Sequence, residues 1–425
     1  MPDPDFDVAV IGAGHAGLAI SYFLKQYGMR HIVFERERIG ESWRSQRWDS
    51  FMLNSPNGFN ILPGATYRGA NPEGFDSAMS FVSNLEGYAN RFQLPVQEHT
   101  RVISVRRNSS AYHVTASVHG APERYTSRQV VVASGGMNDL RIPLVAKRIS
   151  SSIRQLHAGE YRSPSQLPEG GVLVVGSAQS GLQLAEEILQ AGRRVYLSTS
   201  AVGRVPRRYR GRDIFDWLLR VGFYDVKTEE VTDPRELEMK QPQVSGVGPF
   251  GHTLSLQSLA RRGAVVIGKI ENARGNEITL QPNAADHIRF SDEVSRRIKG
   301  LVDRFIVAHH LNAPRWEPDP DDEADTHATC ASPIRVLDLG KANITSMIWA
   351  TGFTADFSYL KDRVISSHGR PMHRNGMSNV PGLYFLGLPW LRKRKSGIVN
   401  GIVEDAAFIA EQVKLASRVW MRSPV

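Results

Sequence analysis

Gly12, Gly14 and Gly17 stand in G-x-G-x-x-G spacing. Before them runs the apolar stretch "DVAVI" (7–11), and after them comes "AGLAISYFLKQY" (16–27), whose apolar positions recur with a helical period. The chemistry this arrangement serves is phosphate binding. Gly12 permits a tight turn, Gly14 lets backbone approach a pyrophosphate, and Gly17 lets helix and strand pack closely. His15 and Ala16 lie at the helix N-terminus, whose free N–H groups and dipole favour an anion. The next strand, "HIVFE", ends in Glu35 with Arg36 beside it. An acid about 20 residues after the glycines hydrogen-bonds ribose hydroxyls. The set predicts a dinucleotide with free ribose hydroxyls, such as FAD or NAD.

The same frame recurs at "VLVVGSAQSG" (172–181). Gly176 and Gly181 hold the first and third glycine places, with Ser177, Gln179 and Ser180 between them, but Ala178 adds a methyl where Gly14 has none. The following strand, "RVYLST", ends in Ser198 and Thr199 rather than in an acid, and "GRVPRRYRGRD" (203–213) follows. An acid there would repel a 2′-phosphate, whereas arginine takes one by charge-assisted bidentate bonds. Arg204, Arg207 and Arg208 are the candidates, and NADPH is the expected nucleotide. A chain with both turns is suited to passing a hydride from NADPH to a bound flavin.

Two turns of this kind need two α/β units. The 425 residues suffice for two or three domains. Two β runs with small-residue ends, "VVVASGG" (130–136) and "MIWATGF" (347–353), read as the crossings between a flavin domain and a nucleotide domain inserted into it. Thr351 and Gly352 are candidates for close approach to a ligand at the second crossing. The late segment "SGIVNGIVEDAAFIAEQVKLA" (396–416) reads as a helix with Ser396 and Gly397 at its start, facing the flavin. The expected boundaries are 1–165 plus 331–425 for the FAD domain and 166–330 for the NADP domain, with an insertion at 215–262 of undecoded role.

Composition narrows the function classes. No apolar run reaches the length of a membrane helix, and the acidic start "MPDPDFD" is unlike a signal peptide. Cys330 is the single cysteine, which rules out a dithiol redox pair and fits a reducing cytoplasm. The net charge is +9, but the basic residues are dispersed and no nucleic-acid motif accompanies them. The acidic stretch 313–333 reads as a solvated loop, "LRKRKSG" (391–397) as an exposed basic one, and His309 with His310 lacks metal-ligand spacing. Neither nucleic acid, membrane nor metal is expected.

In this order, "GAGHAG", "ERERIGESWRSQRWDSF", "LNSPN", "QLHAGEYR", "GSAQSG", "VPRRYRGRD", "ATGF" and "GLYFLGLPW" resemble the bacterial flavin-containing monooxygenases, single-component flavoproteins of class B, over nearly the whole chain. The resemblance implies FAD in the first domain, NADPH in the second, and oxygen activation as a C4a-(hydro)peroxyflavin. It implies that Trp43 and Arg44 lie along the flavin and that Asn54, or else nearby Asn57, hydrogen-bonds the peroxide. It also implies that His157 lies in the linker near NADP. The family's F-x-G-x-x-x-H-x-x-x-[YF]-[KR] pattern keeps His157, Tyr161 and Arg162 but has Ser151 and Ile153 at its Phe and Gly places. Tyr161 and Arg162 stand where members that oxygenate ketones carry other residues, which favours attack at nitrogen or sulfur. The expectation is an α/β enzyme with two Rossmann-like domains, acting on a small molecule and O2. Self-association into a homodimer is compatible with it. The alternatives are Baeyer–Villiger oxygenation, an NADPH oxidase or reductase without oxygen transfer, and, last, a non-catalytic redox sensor.

Overall fold

The computed structural model describes residues 3–238, 242–244, 246–248 and 251–422. Two sheets organise them, the first parallel at its centre with antiparallel strands added at its margins and the second parallel throughout. The first is nine-stranded. At its centre Phe6–Ile11 lies between His31–Phe34 and the end of Ala121–Val132, and Leu383–Phe385 extends it in parallel. The second is five-stranded, in the order Val265–Ile267, Val195–Ser198, Gly171–Val175, Ile344–Trp349, Arg154–His157. Val8, Val10, Val172 and Val174 are fully buried because helices cover both faces of such a sheet. This is why each central strand reads as a continuous apolar run rather than an alternating one.

The two turns have the same local construction. In each, a helix starts directly after the loop: His15–Gln26 in the first and Gln179–Gln190 in the second. Leu182, Leu184, Ala185 and Ile188 bury one stripe of the second helix, as the apolar spacing required. Each first glycine is left-handed and faces the end of the neighbouring strand. A Cβ on Gly12 (φ +101°) would lie 2.6 Å from the Ala133 carbonyl oxygen, and one on Gly176 (φ +108°) would lie 2.7 Å from that of Ala350.

That geometry changes the expected domain boundaries. The two small-residue strand ends are not both passages back to the flavin domain. Ala133 closes a strand of the first sheet, and Ala350 closes a strand of the second. The second sheet draws strands from 154–157 and 344–349, both outside the expected 166–330. An A-[ST]-G ending marks the close approach of strand to loop, but it carries no information on which sheet receives the strand.

Two loops also differ from expectation. In the acidic stretch 313–333, Asp322 is buried and takes Arg204, Lys299 and Ser295 as partners. In the basic loop, Lys395 is buried, bonded to Asp225 at 2.8 Å and to Glu404. The C-terminal helix begins at Ile402, after a short 3-10 turn at Val399–Gly401, and not at Ser396. Among the described residues no helix is long and apolar enough to cross a membrane.

Candidate active site

A cavity of about 950 Å³ receives both turns. Gly12, Gly14, His15 and Ala16 line it from the first turn, and Gln179 and Ser180 from the second. Glu35, Arg36, Trp43, Asn54 and Gly397 also reach it. The insertion contributes Phe215, Tyr224, Pro242, Gln243 and Val244, so part of the undecoded 215–262 segment is a cavity wall. Residues 239–241, 245 and 249–250 of that segment lie outside the described residues.

The first turn fits an FAD. A Cβ on Gly14 would meet nothing within 4 Å, leaving open the space a pyrophosphate needs. His15 Nε2 is buried without a hydrogen-bond partner, and burial pushes the imidazole down to about 4, so the ring is neutral. The Glu35 carboxylate is buried, which raises its pKa. It is held in place by N–H donors, Ala13 to Oε2 at 2.7 Å and Glu37 to Oε1 at 3.0 Å. Its remaining acceptor capacity faces the cavity, where ribose hydroxyls can donate. Gly17 serves packing: a Cβ there would overlap the Gly12 carbonyl oxygen.

The second turn fits a nicotinamide nucleotide. Gln179 Nε2 is buried, lines the cavity and has no partner. Gly181 packs as Gly17 does, against the Gly176 carbonyl. Ser177 and Ser198 are spent internally. Ser177 Oγ donates to the Ser200 carbonyl at 3.2 Å, and Ser198 Oγ donates to the Gly268 carbonyl at 3.0 Å.

Asn54 stands between the turns. Its Oδ1 accepts from Gln183 Nε2 at 2.9 Å, and its carbonyl accepts from Arg207 at 2.9 Å. The first bond fixes the amide so that its donor group is left for the cavity. This residue of the flavin half is oriented from the nucleotide half.

Several expected site residues have other duties. Arg204 is 2% exposed and bonded to Asp292 at 2.8 Å and to Asp322. Arg207 is fully buried, bonded to Asp213 at 2.8 Å and packed over the Phe75 ring. Both guanidinium groups are buried and neutralised, Arg204 by acids from distant elements and Arg207 by Asp213 six residues along the chain, so neither is free for a 2′-phosphate. Arg208 is at the surface, paired with Glu73. Arg44 pairs with Glu86 and does not line the cavity, unlike Trp43. Asn57 Nδ2 donates to the Asn71 carbonyl and its N–H to that of Gly74, so it is an anchor for the 71–74 loop rather than a peroxide ligand.

His157 is likewise buried. Nε2 donates to the Gly352 carbonyl at 2.8 Å and Nδ1 accepts the Gly159 N–H at 3.0 Å, which sets the tautomer and uses both nitrogens. Burial lowers its pKa. It joins a strand of the second sheet to the end of its neighbour and contributes no group to the cavity. Thr351 donates to the Arg141 carbonyl, and neither it nor Gly352 lines the cavity. Ser396 Oγ accepts the N–H groups of Arg392 and Lys393, both at 3.1 Å.

The sequence analysis missed Ser134, Gly135 and Gly136, which line the cavity. Their signal was present in "VVVASGG", the strand end matching the one that supplied Thr351 and Gly352. It also missed Arg47 and Phe51, which carry no motif.

Two nucleotide turns opening into one cavity, with a single unpaired cysteine, define a two-dinucleotide flavoprotein oxidoreductase that works without a thiol pair. The comparisons agree. The family model for pyridine nucleotide-disulphide oxidoreductases matches residues 9–210. A CzcO-like oxidoreductase of Geobacillus kaustophilus, itself uncharacterized, is 31% identical over 96% of this chain and 98% of its own length. The chain belongs to that family of CzcO-like oxidoreductases, which is related to the flavin-containing monooxygenases. The indole-3-pyruvate monooxygenase YUCCA8 of Oryza sativa subsp. japonica is 29% identical over 72% of this chain and 76% of its own. A flavin-containing monooxygenase of Stenotrophomonas maltophilia has the same fold, with a TM-score of 0.64 and 19% identity over 96% of this chain and 98% of that one.

Proposed function

We propose that the protein is an NADPH-dependent monooxygenase that places one oxygen atom of O2 on a nitrogen or sulfur of a small organic substrate. The overall reaction is NADPH + H⁺ + O2 + substrate → NADP⁺ + H2O + oxygenated substrate. The observation that carries this reading is the shared cavity, in which both turns meet around an amide donor held by Gln183. When bound, FAD supplies the hydride acceptor and the centre where oxygen is activated. The residues of the chain bind, orient and exclude water. The N-terminus of His15–Gln26 would hold the pyrophosphate of FAD, and Glu35 would accept from its ribose hydroxyls. The Asn54 amide would offer a neutral hydrogen-bond donor at the cavity, one that supplies no acidic proton. The relationship to a plant monooxygenase supports oxygen transfer over simple NADPH oxidation.

For the nucleotide, the absence of an acid after Val195–Ser198 supports NADPH over NADH. With Arg204 and Arg207 committed internally, a candidate cation for that strand end is Lys269, two residues beyond Ile267, which pairs with Ser198. It is exposed and follows the neighbouring strand Val265–Ile267.

The test is Asn54→Ala. FAD content should remain as in the unmodified protein. Hydrogen peroxide formed per NADPH should rise at least ~tenfold, since one lost donor at a reacting oxygen costs ~2.7–4 kcal/mol, on the order of a hundredfold or more in rate. Full coupling in the variant, measured over a panel of amines, sulfides and ketones, overturns the role of Asn54. Hydrogen peroxide as the sole oxygen product of the unmodified protein overturns oxygen transfer itself.

A further inference from the structure

Arg47 is a half-buried cation on the cavity wall with no acid beside it among the described residues. Its guanidinium lies 4.9 Å from the Trp43 ring centre and 5.2 Å from that of Phe51. Its side-chain N–H groups reach only the Gln46 carbonyl at 2.9 Å and the Met137 sulfur at 3.7 Å. Burial lowers its pKa to about 10, which leaves it charged at neutral pH. The backbone beneath is clamped: the Arg47 carbonyl accepts from Arg162 at 2.6 Å, and the Asp49 N–H donates to the Arg162 carbonyl. Gln46 Nε2 donates to the Met137 carbonyl at 3.0 Å.

A guanidinium has five donors, and most of these are unanswered here. Arg44, Arg204 and Arg207, by contrast, each meet a carboxylate. Leaving a cation without a partner in a low-dielectric wall is costly unless an anion arrives. The two helix N-termini would take the phosphates of the two nucleotides. Arg47 projects instead from an aromatic face built by Trp43 and Phe51, where apolar surface and a planar two-donor fork occur together. We infer that Arg47 anchors the carboxylate of the substrate, which is therefore an organic acid with an apolar or aromatic body. This rests on the monooxygenase reading for the word substrate, but the binding step can be tested by itself.

The probes are three sulfides: (phenylthio)acetate, its near-isostere (phenylthio)acetamide, and the smaller thioanisole. Calorimetric titration of the FAD-loaded protein, without NADPH, should give at least ~tenfold tighter binding of the acid than of the amide, the worth of one charge-assisted bidentate contact. Arg47→Met keeps the stem against the rings and should bring the acid to within about twofold of the amide. Arg47→Lys, with a point charge in place of the fork, should fall between them. Equal binding of acid and amide by the unmodified protein overturns the proposal, as does an acid preference that survives in Arg47→Met. Loss of FAD on purification of Arg47→Met, or weakened NADPH binding with the acid preference intact, would assign the guanidinium to a nucleotide phosphate and also overturn it. Monooxygenation of thioanisole without any preference for the acid would leave the reaction standing and the substrate class refuted.

Discussion

Gly14 and Ala178 occupy the same place in two copies of one turn and have the same backbone, φ −78° and ψ −175°. Around them the frame repeats: a left-handed glycine against a strand-end carbonyl, and a third glycine that cannot carry a Cβ. The copies diverge where a ligand is touched. Glu35 receives the Ala13 N–H and keeps a carboxylate toward the cavity, whereas in the second copy Ser200 approaches Ser177. A carboxylate accepts from ribose hydroxyls and repels phosphate, and a hydroxyl does neither strongly. The frame is thus a packing requirement common to both sites, and the choice of nucleotide lies in a few side chains placed on it.

The sharpest way to break this comparison is at the third glycine. Gly17→Ala and Gly181→Ala each force a Cβ into a carbonyl oxygen of the same turn. Each should destabilise its domain by more than about 4 kcal/mol, the range reserved for steric or buried-charge failures. Denaturant melts of the two variants should shift alike. A tolerant Gly181→Ala beside a ruined Gly17→Ala would mean that the second turn is not a true copy.

A somewhat smaller effect concerns the arginines that follow the second turn. Removing one partner of a buried ion pair costs about 3–5 kcal/mol. Arg204→Ala would leave buried Asp322 with Lys299 and Ser295 alone and would take the guanidinium from Asp292. The variant should therefore melt early while keeping the NADPH-to-NADH preference of whatever folded protein remains. A normal melt with a lost preference would return Arg204 to the nucleotide.

The gentlest change is Ala178→Gly. Removing one methyl from the point of closest backbone approach should tighten NADPH binding by about fivefold, roughly 1 kcal/mol, with FAD content unaltered. Unchanged or weaker binding would show that the methyl does not meet the nucleotide.

Both turns were legible in the sequence because their signals are local. Strand, glycines and helix follow one another within about 20 residues; the first glycine of each turn is left-handed and the third has no room for a Cβ. Asn54 was suggested by a resemblance, and the fold places it on the cavity wall. His157 was found the same way, yet the fold uses it as a hydrogen-bond bridge to Gly352. A motif names a residue without naming the partners of its ring nitrogens.

The sequence by itself determined that this chain builds two dinucleotide turns, that an acid ends the strand after the first and not the strand after the second, and that no cysteine pair can serve it. These follow from backbone sterics and from which residue types are present. The tertiary structure alone decided which cations are free. Arg204 meets Asp292 and Asp322 across sequence separations of 88 and 118 residues, and Asn54 meets Gln183 across 129. It likewise withdrew Arg207 and left Arg47 on the wall of the cavity without an acid. Charges are neutralised by whatever the fold brings within a few ångströms, and no spacing along the chain encodes that distance.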